Sequence, residues 1–401
     1  MKEFNFTKYE DAIKIYREKN LMQALYDEGE IIMDQVLVCL HGDDHRKRRK
    51  VENKVFSRET FRLYETDIYP VTLDQTIQPF LKKGKMDLVD FGFRVLLNLT
   101  ADFSGVDRPE KSPEETETLL KLLKIFASGA TLAHSTRDRD EVKEEVRIAL
   151  KEFETKFLGP SIKRRKELIK NVNADELPTG LLLNRQDILT ALLNNQEKLK
   201  LPYDVLMREI AFYLLAGAQT SIHSLVHTFH EIMQWVEKNP DKKKNIYDPI
   251  FVQKAVHEST RLHPSSPVAW RKPTCPVHLP NNEEATEGDK VIIDLYACNR
   301  DEEMFGEDAK EFNPNRKAPS GQNVYGLSFG LGMHSCIGRN LAAGVVPKED
   351  TDPNDHHYGT VALILNKLFE NNAQPDPNNS PKMDEKTKRP NWGYYPIIFD
   401  V

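Results

Sequence analysis

The sequence predicts a mainly α-helical protein with small β-sheets, and two observations carry this prediction. Residues 203–237 form a long segment that is apolar on nearly every helical face, so the helix is expected to be buried. At 1.5 Å per residue it would be roughly 50 Å long, enough to cross a whole domain. After Pro264 the pattern changes to short β-type runs separated by Pro, Gly and Asn, which indicates small sheets beside a helical body.

The other elements follow from local composition. Residues 9–239 are predicted to form helices separated by polar breaks, and Asn239-Pro240 ends the longest one. The β-branched and aromatic runs 291–293 and 395–399 are predicted strands. Residues 347–359 and 371–388 are rich in Pro and Asn and are predicted surface loops. His356 and His357 are expected to be solvated there.

Composition narrows the class of protein. The chain has 401 residues and a net charge of −6, and we expect a single domain over residues 1–401 that does not bind nucleic acid. Its four cysteines are far apart in sequence, which argues against a disulfide framework and favours the cytoplasm. No apolar run approaches the length of a membrane span. We therefore expect a soluble, cytoplasmic protein with no membrane partner.

The most informative segment is the glycine-rich stretch 329–342, which contains Cys336. We expect this loop to place the cysteine at the start of a helix, where the helix dipole stabilises a thiolate. Glycines 330, 332 and 338 are expected to let backbone N–H groups approach the sulfur, where a Cβ would obstruct them. Such hydrogen bonds tune the electron donation of a metal-bound thiolate. The alternative is an inert, buried cysteine in a glycine-rich turn.

Phe329, Gly332, Cys336 and Gly338 match the pattern FxxGxxxCxG, and the segment resembles the haem-binding signature of soluble, bacterial-type cytochromes P450. The resemblance implies haem b (iron protoporphyrin IX) with Cys336 as the iron ligand. It also implies that Phe329 shields the thiolate and that His334 reaches a haem propionate. It covers the chain from about Lys8 onward and implies the cytochrome P450 fold with a shortened N-terminal region.

Three further segments resemble the same family in the expected order. Glu258 and Arg261 match its ExxR helix, with Arg316 as the third, structural partner. His45 and Arg49 lie one helical turn apart and match propionate-binding residues, as does Arg271. The cations between His45 and Arg49 are expected to face solvent, where an acidic ferredoxin could dock; a plain solvated face is the alternative.

Residues 216–220, Ala-Gly-Ala-Gln-Thr, lie within the long helix. They resemble the family's oxygen-activation groove, in which Gly217 leaves space for dioxygen and Thr220 assists proton delivery. The alternative for Gly217 is close packing of two helices. Gln219 stands where the family has an acid, and an amide cannot deliver a proton by ionising.

The implied reaction is insertion of one oxygen atom from dioxygen into a small organic substrate, by hydroxylation or oxidative O-demethylation. No nucleotide-binding motif is evident, so electrons are expected from ferredoxin and ferredoxin reductase or an equivalent donor. By resemblance, the substrate pocket draws on Ala216, Val268, Trp270 and Tyr394. The alternatives are a peroxide-driven or non-oxygenating haem-thiolate enzyme, and a haem-binding sensor or scaffold. His223, His227 and His230 have metal-compatible spacing, but packed histidines are the favoured interpretation.

Overall fold

The computed structural model describes residues 1–110, 112–171, 187–318 and 320–399. The helices are, in chain order: α1 Tyr9–Arg17, α2 Glu30–Met33, α3 Gly42–Glu52, α4 Arg58–Leu63, α5 Tyr69–Lys83, α6 Leu88–Ser104, α7 Pro113–Ala130, α8 Arg139–Phe153, α9 Gly159–Asn171, α10 Ile188–Leu193, α11 Gln196–Leu199, α12 Tyr203–Lys238, α13 Pro249–Leu262, α14 Leu295–Cys298, α15 Glu302–Phe305, α16 Arg339–Ala343 and α17 Thr360–Glu370. The strands are β1 Glu3–Phe6, β2 Leu21–Gln23, β3 Lys85–Asp87, β4 Val268–Pro273, β5 Val277–His278, β6 Glu284–Ala285, β7 Lys290–Asp294, β8 Ala373–Pro375, β9 Lys382–Met383, β10 Trp392–Tyr394 and β11 Pro396–Phe399.

The predicted long helix is confirmed as α12, and it ends at Asn239 before Pro240. Its main partner is α6, and the two helices approach closely where small residues meet. A Cβ built on Gly217 of α12 would lie 2.7 Å from Thr100 Cγ2 of α6. Because that distance is shorter than any normal contact, a side chain at position 217 would force the two helices apart.

The predicted sheets are present in the second half of the chain. A four-stranded sheet has the order β1-β7-β4-β2, and β1 runs parallel to β7. Residues before Lys8, to which the sequence assigned no structure, therefore supply a strand. A three-stranded sheet has the order β3-β11-β8. The prediction of a loop over residues 371–388 was partly wrong, because β8 and β9 lie within it.

The polar segment 347–359 connects α16 to α17 and is largely irregular. The prediction that its histidines are solvated was wrong. His356 Nε2 lies 2.7 Å from Gln253 Oε1 of α13, and His357 Nε2 lies 2.8 Å from the Asn340 carbonyl oxygen. The ring of His357 also stacks on Phe61 and its Nδ1 contacts Glu65. These bonds attach the segment to α4 and α13.

A buried polar cluster, which sequence analysis missed, joins α3 to α12. Arg48 donates to the Glu209 carboxylate at 2.7 Å, and Tyr213 donates its hydroxyl to Glu52 at 2.6 Å. Burial raises the pKa of Glu209 to about 7, and Arg48 opposes this rise. Since buried charges are stable only when paired, these contacts fix the position of α3 against the long helix.

A second buried network joins α13 to the segment before the cysteine loop. Arg261 donates to both carboxylate oxygens of Glu258, at 2.8 and 2.7 Å, and to the carbonyls of Asn299 and Ala309. Arg316 donates to Glu258 Oε1 at 2.9 Å. The structure thus brings together the three residues that the resemblance grouped.

None of the described helices combines the length and apolarity that a bilayer span requires.

Substitution of Arg261 by Met is expected to lower the free energy of unfolding by about 3–5 kcal/mol, because it leaves the Glu258 carboxylate buried without its main partner. Urea unfolding monitored by circular dichroism measures this change. Arg62→Met is the matched control, because the Arg62–Asp355 ion pair is exposed and should contribute about 1 kcal/mol or less. Equal effects of the two substitutions would contradict the assignment of a structural role to Arg261.

Candidate functional site

One large cavity of about 380 Å³ lies between α12 and the cysteine loop. Cys336 and Phe329 line it from the loop, while Gly217 and Thr220 line it from the long helix. The fold therefore places the cysteine loop and the segment 216–220 on walls of the same cavity, although they are more than 100 residues apart in the chain.

The cysteine loop is closed by its own backbone. The Cys336 N–H donates to the Phe329 carbonyl at 2.8 Å, and the Ser335 N–H donates to the Gly332 carbonyl. The helix that follows, α16, begins at Arg339 and has five residues. Cys336 therefore precedes the helix by three residues, and its environment comes from the loop more than from a helix dipole.

The Cys336 side chain has exposed surface, and that surface lies in the cavity. Because protein atoms enclose the thiol, burial raises its pKa, while the backbone N–H of Gly338 and the charges of Arg339 and Arg49 lower it. Without a metal, the balance favours the thiol. Coordination to a metal cation would deprotonate it outright.

The three glycines of the cysteine loop differ in backbone conformation and in the space around them. Gly330 and Gly332 have φ of +64° and +67°, which an L side chain rarely adopts. A Cβ on Gly332 would also lie 2.8 Å from the Tyr16 carbonyl oxygen. Gly338 has a negative φ, and a Cβ there would meet Phe56 Cε1 at an ordinary 3.7 Å. A side chain at 338 would therefore meet no clash within the protein chain, and the expectation that a Cβ there obstructs the approach of the N–H to the sulfur stays a prediction.

Four predicted cofactor-binding side chains gather at one end of the cavity: His45, Arg49, Arg271 and His334. The two imidazole rings are 4.6 Å apart. Burial, followed by nearby cations, lowers the pKa of His45 to about 4; for His334, burial and then His45 lower it to about 3. Both rings are therefore neutral at neutral pH and can still donate an N–H.

The same end of the cavity has unused hydrogen-bonding capacity. His45 Nε2 and both ring nitrogens of His334 are buried and lack a partner. Arg271 is buried, lies over the Tyr16 ring, and donates to the neighbouring carbonyl of Trp270. Arg49 donates to the carbonyls of Met333 and Ser335. A group carrying carboxylates would satisfy these donors, so the residues would fit the propionates of a haem, and Cys336 in the same cavity is the candidate iron ligand.

On the opposite wall, the Thr220 hydroxyl donates to the Ala216 carbonyl at 2.8 Å. Gln219 Nε2 lies 2.8 Å from His223 Nε2, and Asn391 Nδ2 lies 3.0 Å from the same nitrogen. Burial, and then Arg389, lower the pKa of His223 to about 3, so its ring is neutral, and its Nε2 can accept from one of these two amides at a time. Sequence analysis left His223 as a packed histidine and did not predict its contact with Gln219.

Gly217 has both features that the sequence left as alternatives. It lines the cavity together with Ala216, but the direction in which its Cβ would point is towards Thr100 of α6. Helix packing therefore accounts for a glycine at this position.

Among the described residues, no group of three His, Cys, Asp or Glu could hold a metal ion, and His227 stacks on His263.

Two of the four predicted pocket residues line the cavity, namely Ala216 and Val268. The prediction for Trp270 was wrong. Val268, Ala269 and Arg271 all line the cavity, whereas the Trp270 ring packs under Lys290 of the adjacent strand β7, with Nζ 3.3 Å from the ring centroid. The prediction for Tyr394 was also wrong, because β10 pairs with β9 and leaves this side chain on the outer surface.

Tyr26, His134 and Arg389 are among the lining residues that were missed. They come from the segment before α3, the connection after α7 and the loop before β10. A buried, positively charged residue in a Pro- and Asn-rich loop has no distinguishing pattern in sequence, so no signal could have identified Arg389.

The cations of α3 are arranged as predicted only in part. Arg46 and Lys47 are exposed, but each pairs with a carboxylate of the first turn, Asp43 and Asp44 respectively. Arg48 is buried against Glu209. The positive charge that α3 presents to solvent is therefore smaller than the sequence indicates.

Comparison with known proteins agrees with this geometry. The family model for cytochrome P450 matches residues 139–344, just over half of the chain. Pulcherriminic acid synthase of Bacillus subtilis (strain 168) is 23% identical over 354 residues, which cover 84% of this chain and 78% of that protein.

Two solved structures have a similar fold. P450BioI, in complex with an acyl carrier protein ligated with hexadec-9Z-enoic acid, superposes with a TM-score of 0.73 at 18% identity, covering 99% of this chain and 92% of that one. Myxobacterial cytochrome P450 CYP267B1, in complex with myristic acid, superposes with a TM-score of 0.71 at 19% identity, covering 99% and 90%. The chain belongs to the cytochrome P450 family, whose members are haem-b-dependent monooxygenases.

Proposed function

We propose that this protein inserts one oxygen atom from dioxygen into a small organic substrate, with Cys336 as the iron ligand. The observation that carries the proposal is that Cys336 and Thr220 line one cavity from two different walls. A bound haem would supply the reductive activation of dioxygen, and its thiolate ligand favours O–O cleavage. The chain's own residues hold the group, exclude water and control protons.

The holding residues are proposed from their unused donors. His45 and His334 have buried nitrogens without partners, and Arg271 is buried without a carboxylate. Phe329, the first residue of the cysteine loop, packs against Tyr325 with the two ring centroids 5.0 Å apart. From this position it would shield the Cys336 sulfur. Gly338 offers its backbone N–H to that sulfur, which would moderate the electron donation of the thiolate.

Proton delivery is proposed to use the Thr220 hydroxyl with water. In the structure this hydroxyl donates to Ala216, so it can accept a hydrogen bond from a molecule in the cavity. Gln219 supports the site through its contact with His223. It supplies no ionisable proton, and this favours one second candidate, namely a peroxide-driven enzyme in which protons are already carried by the oxidant.

Substrate and partners belong to the same proposal. The reaction is hydroxylation or oxidative O-demethylation, and electrons come from ferredoxin and ferredoxin reductase or an equivalent donor. The exposed Lys50 and Arg46 of α3 would contribute to docking of that donor. We further propose that residues 1–401 form one haem-binding domain and that the protein is cytoplasmic, which is consistent with its four free cysteines.

Substitution of Cys336 by Ser is expected to abolish the red-shifted Soret band of the reduced CO complex, because a neutral hydroxyl donates far less electron density to iron than a thiolate. Absorption spectra of the reconstituted protein measure this. Cys275→Ser is the control, because Cys275 is exposed and does not line the cavity. Survival of the band in the Cys336 variant would remove the proposed ligand.

Substitution of Thr220 by Ala is expected to reduce product formed per NADH consumed by about tenfold or more, since a positioned proton donor contributes at least that much. The assay uses a surrogate ferredoxin and its reductase. Thr228→Ala is the matched control, because Thr228 makes the same bond to the carbonyl four residues earlier in α12. Unchanged coupling in the Thr220 variant, with full activity on peroxide alone, would favour the peroxide-driven candidate.

Release of formaldehyde from methyl ethers tests the proposed O-demethylation. The reconstituted enzyme is expected to release it in proportion to NADH consumed. Hydroxylated products without formaldehyde would leave the monooxygenase assignment intact and exclude O-demethylation.

A further inference from the structure

Buried arginines divide into two groups in this protein. In the part of the chain that the structure describes, the arginines classed as buried are Arg48, Arg165, Arg261, Arg271 and Arg389. The first three form ion pairs with carboxylates. Arg271 and Arg389 form no ion pair with any residue in the described part of the chain, and both line the cavity. Because a buried charge without a counter-charge is costly, this distribution indicates that the cavity receives anions at two places.

The two arginines share Tyr26 as a neighbour, because both influence its pKa, but their other neighbours differ. Arg271 affects the pKa of His334, together with His45 and Arg49, so it belongs to the end of the cavity that fits the haem propionates. Arg389 instead affects the pKa of His223 on α12. It donates to the Ser265 carbonyl at 3.2 Å, and the Ser265 hydroxyl donates to the Thr220 carbonyl at 3.3 Å.

The contacts of Arg389 leave its charge unmatched. Its Nε, Nη1 and Nη2 donate to the Thr387 hydroxyl, the Ser265 carbonyl and the Thr131 hydroxyl at 3.4, 3.2 and 3.4 Å. All three acceptors are neutral and the bonds are long. A guanidinium has five N–H donors, so two remain after these three.

Among the described residues, no carboxylate forms an ion pair with Arg389. His134 also lines the cavity, and its Nε2 is buried without a hydrogen-bond partner. Burial, and then Arg389, lower its pKa to about 4, so the ring is neutral at neutral pH. Tyr26 lines the same wall, and burial raises its pKa, so the phenol is neutral as well. Asp384 influences the Arg389 pKa, but no ion pair between them is present among the described residues.

We propose that Arg389 is the anchor for a carboxylate on the substrate, and that this enzyme oxidises organic monocarboxylates held by their anionic end. The planar fork of the guanidinium matches a carboxylate in a bidentate arrangement. Anchored there, the substrate extends from the C-terminal loop towards Thr220 and Cys336. This inference deepens the proposed function and rests on it.

Spectral titration of the ferric holoenzyme tests the proposal. The probes are straight-chain carboxylic acids from hexanoic to tetradecanoic, with substituted benzoic acids, and each acid is compared with the primary alcohol of the same skeleton. The wild type is expected to bind at least one acid about tenfold or more tightly than its alcohol, and Arg389→Gln is expected to remove that preference. Loss of one partner of a buried charge pair costs at least this factor.

Two variants serve as controls. Lys388→Gln removes an equal charge from the adjacent, exposed position and should leave the preference unchanged. Thr131→Val removes one neutral acceptor of Arg389 and should also preserve it. Arg389→Lys keeps the charge without the fork and should retain part of the preference, which covers the case in which the Gln variant does not fold.

Four results would overturn the proposal. They are no preference for any acid in the wild type, equal loss of acid and alcohol binding in Arg389→Gln, the same loss in Lys388→Gln, or reduced haem content in Arg389→Gln. The second would make Arg389 a loop tether, and the fourth would assign it to a propionate. Failure of the haem-thiolate assignment is recognised separately, because the wild type would then lack the red-shifted Soret band. Failure of the monooxygenase proposal is recognised by the absence of oxygenated product with the surrogate ferredoxin and its reductase.

Discussion

Enclosure of the Cys336 sulfur is the constraint on which the rest of the site depends. The sulfur lies in a cavity surrounded by protein, where burial disfavours its anionic form more than the Gly338 N–H and the charges of Arg339 and Arg49 favour it. A stable thiolate there needs a metal cation. The loop must therefore be rigid enough to hold the sulfur in place beforehand, which its backbone bond from Cys336 to Phe329 provides.

The loop in turn depends on charged side chains from other parts of the chain. Arg49 ties α3 to the carbonyls of Met333 and Ser335, and Arg48 ties the same helix to Glu209 of α12. The Glu258 network holds the segment on the other side. Buried ion pairs contribute little net stability, but breaking one is expensive. These contacts therefore fix the positions of α3, α12 and the cysteine loop relative to one another, and with them the separation of the two walls of the cavity.

Two buried arginines are exceptions to this pairing of buried charges. Arg271 and Arg389 are buried without carboxylates, and both lie on the cavity wall. We propose that a second molecule brings the missing anion to each, a haem propionate to Arg271 and a substrate carboxylate to Arg389. Binding of each ligand would then relieve an electrostatic cost already present in the folded chain.

The sequence by itself determined the features that depend on interactions between residues close together in the chain. The apolar run of α12, its stop at Pro240, the strands β7 and β11, and the cysteine motif could all be predicted, because helix burial, proline geometry and signature spacing act within short windows of sequence. The motifs also predicted the partners Glu258, Arg261 and Arg316, whose contacts the structure shows.

Only tertiary structure decided which side chains face the cavity. Trp270 and Tyr394 were expected there and lie elsewhere, because Trp270 packs under Lys290 of the adjacent strand and the pairing of β10 with β9 leaves Tyr394 exposed. His223 reaches Gln219 and Asn391, and Arg389 reaches Ser265 and Thr131. These contacts join residues up to 258 positions apart, and no sequence window contains both partners. The motif identifies the chemistry, whereas the packing of distant loops determines which molecule can approach it.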